Sequence, residues 1–217
     1  MRVQVQLFGG FQVVCDGAPV ANLGLTERRV LVQLCLAEAG CTRRELGETL
    51  WPGIDYSSAG NRIRTALVGL RRAFENVDPF LADRQQIALN PGLVVCDVWQ
   101  AQDAERNARH TFDPTDRQLV LKTLVESTSL DLLPGWDENW AAAAREYWAS
   151  VHESSCVRLA ESACSTSEWS QASAWASAAL DRQPESALAW SIWFTSMGRL
   201  GRGPEAARRF FVAQKAH

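Results

Sequence analysis

The stretch SSAGNRIRTALVGLRRAF, residues 57–74, carries the clearest signal for the fold of this chain. It carries four arginines and no acidic residue, although the chain of 217 residues has a formal net charge of −3. At about 100° per residue, an apolar stripe runs along one side of a helix through Ile63, Leu67, Leu70 and Phe74. The pattern predicts an amphipathic helix that packs on a core, and its concentrated positive charge needs a separate explanation.

The remaining surface of this predicted helix is suited to reading DNA. Eighteen residues form a helix about 27 Å long, which fits in a major groove. There Asn pairs with adenine, Arg pairs with guanine, Thr or Val touches a thymine methyl group, and flanking arginines neutralise phosphates. Opposite the stripe lie Ser58, Asn61, Thr65, Val68 and Arg72, with Arg62, Arg64 and Arg71 on the flanks.

A solvated amphipathic helix is the alternative, because arginine is also a good surface helix former. Charge alone does not decide between the two, since residues 1–98 contain ten arginines and ten carboxylates. A DNA-binding footprint would therefore be local. The neighbouring elements favour DNA, because the helix follows a capped helix and a short turn and precedes a strand–turn–strand segment, a hairpin that we expect to serve as the wing.

The residues before the arginine helix predict a small sheet followed by two helices. Val3, Val5 and Leu7 alternate with polar residues as in a half-buried strand, and the Asp16-Gly17 pair predicts a hairpin turn. A first helix is predicted from near Thr26 to a left-handed cap at Gly40, burying Val30, Leu31, Leu34 and Cys35.

The second and third helices carry start signals. Thr42 with Glu45 three residues later forms a predicted capping box, and this helix ends at Trp51 before Pro52-Gly53. For the third helix we expect Ser57 or Ser58 at the N-cap. The segment QQIALNPGLVVCDVW, residues 85–99, then reads as a strand, an Asn-Pro-Gly turn and a second strand.

Together these elements predict a winged helix-turn-helix domain over residues 1–98. From residue 99 to residue 217 the strand signals vanish, and we expect an all-α, tetratricopeptide-like domain. The fold class is thus mainly α with a small β component.

A 34-residue repeat supports the tetratricopeptide-like part. Pro184 falls where such a repeat usually ends, and MGRLGRGPEA, residues 197–206, is typical of a turn between paired helices. That glycine-rich turn has neither a preceding strand nor a Gly-Lys-Ser/Thr ending, so it does not predict a phosphate loop. The equivalent pairs are Cys156 and Trp190, Leu159 and Trp193, Ala172 and Ala206, Ala176 and Phe210, and Ala179 and Ala213.

The combination of motifs resembles the Streptomyces antibiotic regulatory proteins, or SARPs. The resemblance rests on TERRVLVQLCLAEAG at 26–40, TRRELGETLW at 42–51 and the arginine helix, which look like their OmpR/PhoB-type winged helix. The segment SLDLLPGWDENWAAAAREYW, at 129–148, looks like the start of their bacterial transcriptional activation domain (BTAD).

This resemblance implies a sequence-specific transcriptional activator that binds direct repeats in promoter DNA as tandem protomers. Its partners would be RNA polymerase and a sigma factor, and its targets secondary-metabolite genes of antibiotic biosynthesis. Carried over by position, the DNA-binding residues are Asn61, Arg62, Arg64, Thr65, Val68, Arg71 and Arg72, with Arg84 and Gln85 on the wing. The polymerase-facing loop is Pro52, Gly53, Ile54, Asp55 and Tyr56.

Gly69 departs from the family pattern, because relatives often carry arginine there. Its presence removes one expected contact and costs about 1 kcal/mol of helix propensity. Together with the balanced charge of residues 1–98, it favours the alternative function, a protein-interaction or adaptor module with a degenerate winged helix.

An enzyme is the least supported reading of the sequence. His152 and Cys156 lie four residues apart and could share a metal, but Cys156 sits at a core position of the repeat. His110 is expected to be solvated in a linker, and none of the three histidines lies in a catalytic motif. We therefore predict neither enzyme activity, cofactor nor metal.

Three features of the sequence bear on the cellular location of the protein. The six cysteines contain no CxxC pair, the first ten residues lack a signal-peptide core, and no apolar run could span a bilayer. We expect a cytoplasmic protein with reduced thiols and no membrane partner.

Overall fold

The computed structural model describes residues 2–75 and 77–215, with side chains through Val212. Within these ranges the strands are β1 Val3–Gln6, β2 Gln12–Cys15, β3 Ala18–Pro19, β4 Cys41–Thr42, β5 Phe80–Ala82, β6 Gln86–Leu89 and β7 Val94–Cys96. The helices are α1 Leu25–Leu36, α2 Arg43–Leu50, α3 Tyr56–Ala73, α4 Asp97–His110, α5 Pro114–Ser127, α6 Asn139–Ser165, α7 Trp169–Arg182, α8 Ala187–Arg199 and α9 Gly203–Lys215.

The amino-terminal sheet has the strand order β3-β2-β1-β7. β1 and β2 pair antiparallel, and β1 alternates buried and exposed residues as its sequence predicts. The Asp16-Gly17 turn is also confirmed, since both residues have positive φ, 46° and 85°, as a type I′ hairpin requires. β7 pairs with β1 in parallel, so the chain returns to its first strand after the three helices.

The first two helices agree with their sequence signals except at the end of α1. Thr42 and Glu45 form the predicted capping box, and Trp51 is the C-cap of α2. α1 ends at Leu36, before Gly40. Gly40 does have a φ of +82°, but a Cβ there would stand 2.6 Å from the carbonyl oxygen of Ile87. This glycine therefore allows close packing on β6 and does not cap α1.

The N-cap of α3 is Asp55, so the prediction of Ser57 or Ser58 was wrong. The Asp55 carboxylate accepts a hydrogen bond from the backbone N–H of Ser58 at 3.0 Å. This bond lowers the pKa of Asp55. A carboxylate at this position also interacts favourably with the positive end of the helix dipole, which explains why the helix begins earlier.

The wing is a different hairpin from the one predicted. β6 pairs antiparallel with β5, with Ala82 opposite Ile87, and the turn between them contains Arg84 and Gln85. The Asn-Pro-Gly turn does join β6 to β7, but these strands belong to different sheets. The three-stranded sheet has the order β4-β6-β5, which fixes the wing to the start of α2.

From α4 onward the helices and their connecting segments contain no strand among the described residues, and the fold is a winged helix followed by an all-helical domain. Residues 34 apart occupy one core, in which Cys156, Leu159, Trp190 and Trp193 are all buried. Ala176, Ala179 and Ala206 belong to the same cluster and Phe210 packs against it. Ala172 is also buried, and the side chain of Ala213 lies outside the described residues.

The chain divides into two compact units with an interleaved boundary. The winged-helix unit comprises residues 1–102 and 132–140, and the helical unit comprises residues 103–131 and 141–217. The predicted boundary between Val98 and Trp99 lies within α4 and stays a prediction. His110, expected in a linker, is the last residue of α4 and is exposed.

The returning segment 132–140 is fixed to the winged-helix unit by specific contacts. Leu133 donates its N–H to the carbonyl of Leu7 at 2.9 Å, and Glu138 forms an ion pair with Arg29 at 2.6 Å. Across the described ranges, no helix is both long and apolar enough to cross a membrane.

Candidate nucleic-acid interface

The apolar stripe of α3 is buried as predicted, which fixes the side that faces outward. Ile63, Leu70 and Phe74 are completely buried and Leu67 is 3% exposed. The stripe packs within the winged-helix unit, where α3 contacts both α1 and α2. Since the remaining side of the helix has no such cover, its polar side chains lie at the protein surface.

A hydrogen-bonded group occupies the centre of the exposed face. Arg64 donates from Nη1 to the Asn61 amide oxygen at 2.9 Å, and the Thr65 hydroxyl donates to the Asn61 carbonyl at 3.0 Å. All three residues are exposed, as are Arg72 and, at 39%, Val68. The structure thus brings five of the predicted DNA-binding residues onto one face. Their role in binding stays a prediction.

The two remaining arginines of α3 already have partners within the protein. The Arg62 guanidinium lies over the Trp51 ring, 5.6 Å from its centre. Arg71 forms an ion pair with Asp78 at 3.0 Å and lies over Phe80 at 5.4 Å. Arg71 therefore contacts the segment that begins the wing, and these contacts hold β5 in position.

The wing tip presents Arg84 and Gln85, and both are exposed. The Asp83 carboxylate accepts from the N–H groups of Gln85 and Gln86, each at 2.6 Å, and these bonds lower the pKa of Asp83. Arg43, at the start of α2, donates to the Asp83 carbonyl at 3.2 Å. The tip is therefore held in place relative to α2.

Two arginines at the start of α2 were missed as surface candidates. Arg43 is partly exposed, and Arg44 is exposed and forms an ion pair with Glu48 on the next turn at 2.8 Å. The sequence did contain a signal for these surface arginines, because the Arg43-Arg44 pair directly follows the capping Thr42. The N–H groups of Arg43 and Glu45 are already bonded, to the Gln85 carbonyl and the Thr42 hydroxyl, so what this helix start offers a phosphate is its two guanidinium groups.

The predicted polymerase-facing loop forms the turn between α2 and α3. Gly53 has a φ of +84°, which allows the tight reversal after Pro52. Tyr56 is 64% exposed, whereas the Asp55 carboxylate is engaged by its capping bond. Pro52 is exposed and Ile54 half-buried, so the loop offers an aromatic and an apolar side chain at the surface.

His152 and Cys156 have the properties of a packed core. The Thr128 hydroxyl donates to the Leu124 carbonyl, so it accepts from Nδ1 of His152 at 3.0 Å. Burial lowers the pKa of His152 to about 4 and raises that of Cys156 to about 12. The Cys156 thiol is protonated at neutral pH, and the thiolate is the form that binds metals and attacks substrates. Within residues 2–75 and 77–215, no three His, Cys, Asp or Glu residues are placed to bind a metal ion.

No protein-family profile matches the sequence, and no curated protein matches it. A solved structure does match in fold: Mycobacterium tuberculosis EmbR, determined in complex with a low-affinity phosphopeptide. The match has a TM-score of 0.70 at 16% identity and covers 99% of this chain and 59% of the EmbR chain. The likeness shows that this protein shares the fold of the matched part of EmbR.

Proposed function

We propose that this protein is a sequence-specific DNA-binding transcriptional regulator. The observation that carries the proposal is the exposed face of α3, where Asn61, Arg64 and Thr65 form a hydrogen-bonded group without cover from the rest of the winged-helix unit. Ordering these three side chains on a surface that binds no partner costs conformational entropy. In a major groove the group offers the Asn61 amide and the Thr65 side chain at base edges, with the Arg64 guanidinium on the flank to neutralise a phosphate.

The residues around this face are suited to hold the helix in register. Arg72 on α3, Arg43 and Arg44 on α2, and Arg84 on the wing supply positive charge on three separate elements of the winged-helix unit. Contacts of this kind neutralise phosphates and fix orientation without reading sequence. Because ten carboxylates balance the ten arginines of residues 1–98, this local arrangement is what would attract DNA.

The proposed mechanism is binding and recruitment, with no covalent chemistry. Protomers would bind direct repeats in promoter DNA and activate transcription by contacting RNA polymerase and its sigma factor. The exposed Tyr56 supports the α2–α3 loop as the polymerase contact. The resemblance of the sequence motifs to those of SARPs supports secondary-metabolite genes, including those of antibiotic biosynthesis, as targets.

The direct test of DNA reading is selection of bound sequences from a randomised duplex library. We expect the wild-type protein to enrich a direct repeat. We also expect Asn61→Ala to lose an adenine preference at one position of each half-site. Asn107→Ala removes the same side chain from an exposed position on α4 and serves as the control. If the wild-type protein enriches no sequence, DNA reading is refuted and the adaptor alternative is favoured.

Recruitment is tested separately with Tyr56→Ala in transcription reconstituted from purified components. We expect this variant to bind the selected duplex as the wild-type protein does but to lose most of its stimulation of transcription. The control is Tyr147→Ala, which removes an exposed tyrosine from the helical unit. Full stimulation by Tyr56→Ala would contradict a role for this loop.

A further inference from the structure

An open groove of about 350 Å³ separates the first turn of α1 from the exposed face of α3. Both elements belong to the winged-helix unit. The groove is lined by Thr26, Glu27, Asn61, Arg62, Thr65 and Ala66. Three of these six residues belong to the set proposed to read DNA, so Glu27 is an acidic side chain at the edge of the proposed reading surface.

Two glycines set the position of the Glu27 carboxylate. A Cβ on Gly69 would stand 2.5 Å from Oε1 of Glu27, and a Cβ on Gly24 would overlap Oε2. A larger residue at either position would therefore displace the carboxylate. Gly69 thus does more than remove a contact, because it opens the space in which Glu27 lies.

The Glu27 carboxylate has no partner in the part of the chain that the structure describes. No ion pair or side-chain hydrogen bond joins it to another described residue, and the neighbouring Arg62 lies over Trp51. A carboxylate in the first turn of a helix gains some stability from the helix dipole. That effect does not require two glycines around it or a groove shared with Asn61 and Thr65.

Major-groove chemistry identifies what this carboxylate could bind. Phosphates repel it, whereas the exocyclic amino group of cytosine, N4, is the donor that Glu and Asp accept from in DNA. We propose that Glu27 is a specificity-determining residue that accepts a hydrogen bond from a cytosine beside the bases read by Asn61 and Thr65. This inference rests on the proposed DNA-binding function.

The first test repeats the library selection with Glu27→Gln. Glutamine keeps the size of the side chain but loses its charge and gains an N–H donor, so its preference shifts away from cytosine. We expect cytosine enrichment at one position of the half-site to fall by about ten-fold. Binding to a non-specific duplex should stay equal or become tighter, because a negative charge is removed.

The second test moves the carboxylate without changing its chemistry. Gly69→Ala places a Cβ against Glu27, and we expect the same cytosine position to lose its preference. Gly60→Ala makes the same change on the same helix, where a Cβ meets nothing within 4 Å. That control should leave the preference at the cytosine position unchanged. Thermal melts followed by circular dichroism establish that all three variants are folded.

The outcomes separate this inference from the proposed function. If the wild-type protein enriches a direct repeat and Glu27→Gln enriches the identical motif, the role of Glu27 is overturned while DNA reading stands. If the wild-type protein enriches nothing, DNA reading itself fails. Equal shifts in Gly60→Ala and Gly69→Ala would also overturn the role of Glu27, since only the latter contacts its carboxylate.

Discussion

One polar group in the winged-helix unit and one in the helical unit are placed in opposite ways. On α3, Asn61, Arg64 and Thr65 are exposed and bond to one another. In the helical unit, His152 is buried, and its ring bonds to the buried Thr128. The difference indicates that the polar group of α3 contributes little to folding and is available to a partner, whereas the His152–Thr128 pair is part of the core of the helical unit.

The largest expected effect is loss of a core side chain from the helical unit. Trp190 is 9% exposed, donates its indole N–H to the Pro184 carbonyl at 2.7 Å and packs edge-on against Phe210. We expect Trp190→Ala to lower the free energy of unfolding by about 3 to 5 kcal/mol, measured by urea denaturation. Phe211→Ala, at a 63% exposed site, should change it by less than about 0.5 kcal/mol. Similar values for the two variants would contradict the assigned core.

The buried histidine gives the helical unit a pH dependence of known sign. The pKa of His152 is about 4 in the folded protein, below the ordinary 6.5, so protonation favours unfolding. Its contribution is present above pH 6.5 and is lost as the pH falls toward 4. We expect a loss of about 2 kcal/mol between pH 6.5 and 5.

Urea denaturation at several pH values measures this loss. His152→Gln should remove that part of the pH dependence, whereas His110→Gln should leave it intact, because His110 is exposed. If His152→Gln has the same pH profile of stability as the wild-type protein, His152 is not the source of this pH dependence.

Local signals in the sequence predicted the parts of the fold that local interactions determine. The capping box at Thr42 and the turn at Asp16-Gly17 involve residues within three positions of each other, and both were confirmed. The predicted wing hairpin was wrong because β6 and β7 do not pair with each other. Instead β6 pairs with β4 and β7 pairs with β1, and both of these partners are distant in sequence. Alternation along a strand identifies its buried side and not its neighbour.

For the candidate DNA-binding site, too, the sequence predicted what local periodicity determines and missed the contacts between elements. The period of α3 was enough to predict which residues lie outward. It could not reveal that Arg71 pairs with Asp78, or that Glu27 lies against Gly69, because both contacts depend on how α3 packs on other elements. The return of segment 132–140 to the winged-helix unit was missed for the same reason.

A smaller effect is expected at the start of α2. Thr42→Ala removes the side-chain half of the capping box, in which the Thr42 hydroxyl accepts from the Glu45 N–H, and leaves the backbone N–H of residue 42 free to donate to Glu45. We expect a loss of about 1 kcal/mol in the free energy of unfolding. Thr49→Ala changes the same residue type at an exposed position within α2 and should cost less than about 0.5 kcal/mol. Equal losses in urea denaturation would show that the capping box does not stabilise the helix.

Arg64→Ala should have the smallest effect on stability among these variants and the largest effect on DNA binding. The decisive measurement is the salt dependence of affinity for the selected duplex, with Arg64→Ala beside Arg158→Ala, an exposed arginine of the helical unit. We predict that Arg64→Ala unfolds as the wild-type protein does but binds about ten-fold more weakly, with a salt slope smaller by about one. Arg158→Ala should match the wild-type protein in both. Identical affinities and slopes for all three proteins would contradict the assignment of α3 as the DNA-reading helix.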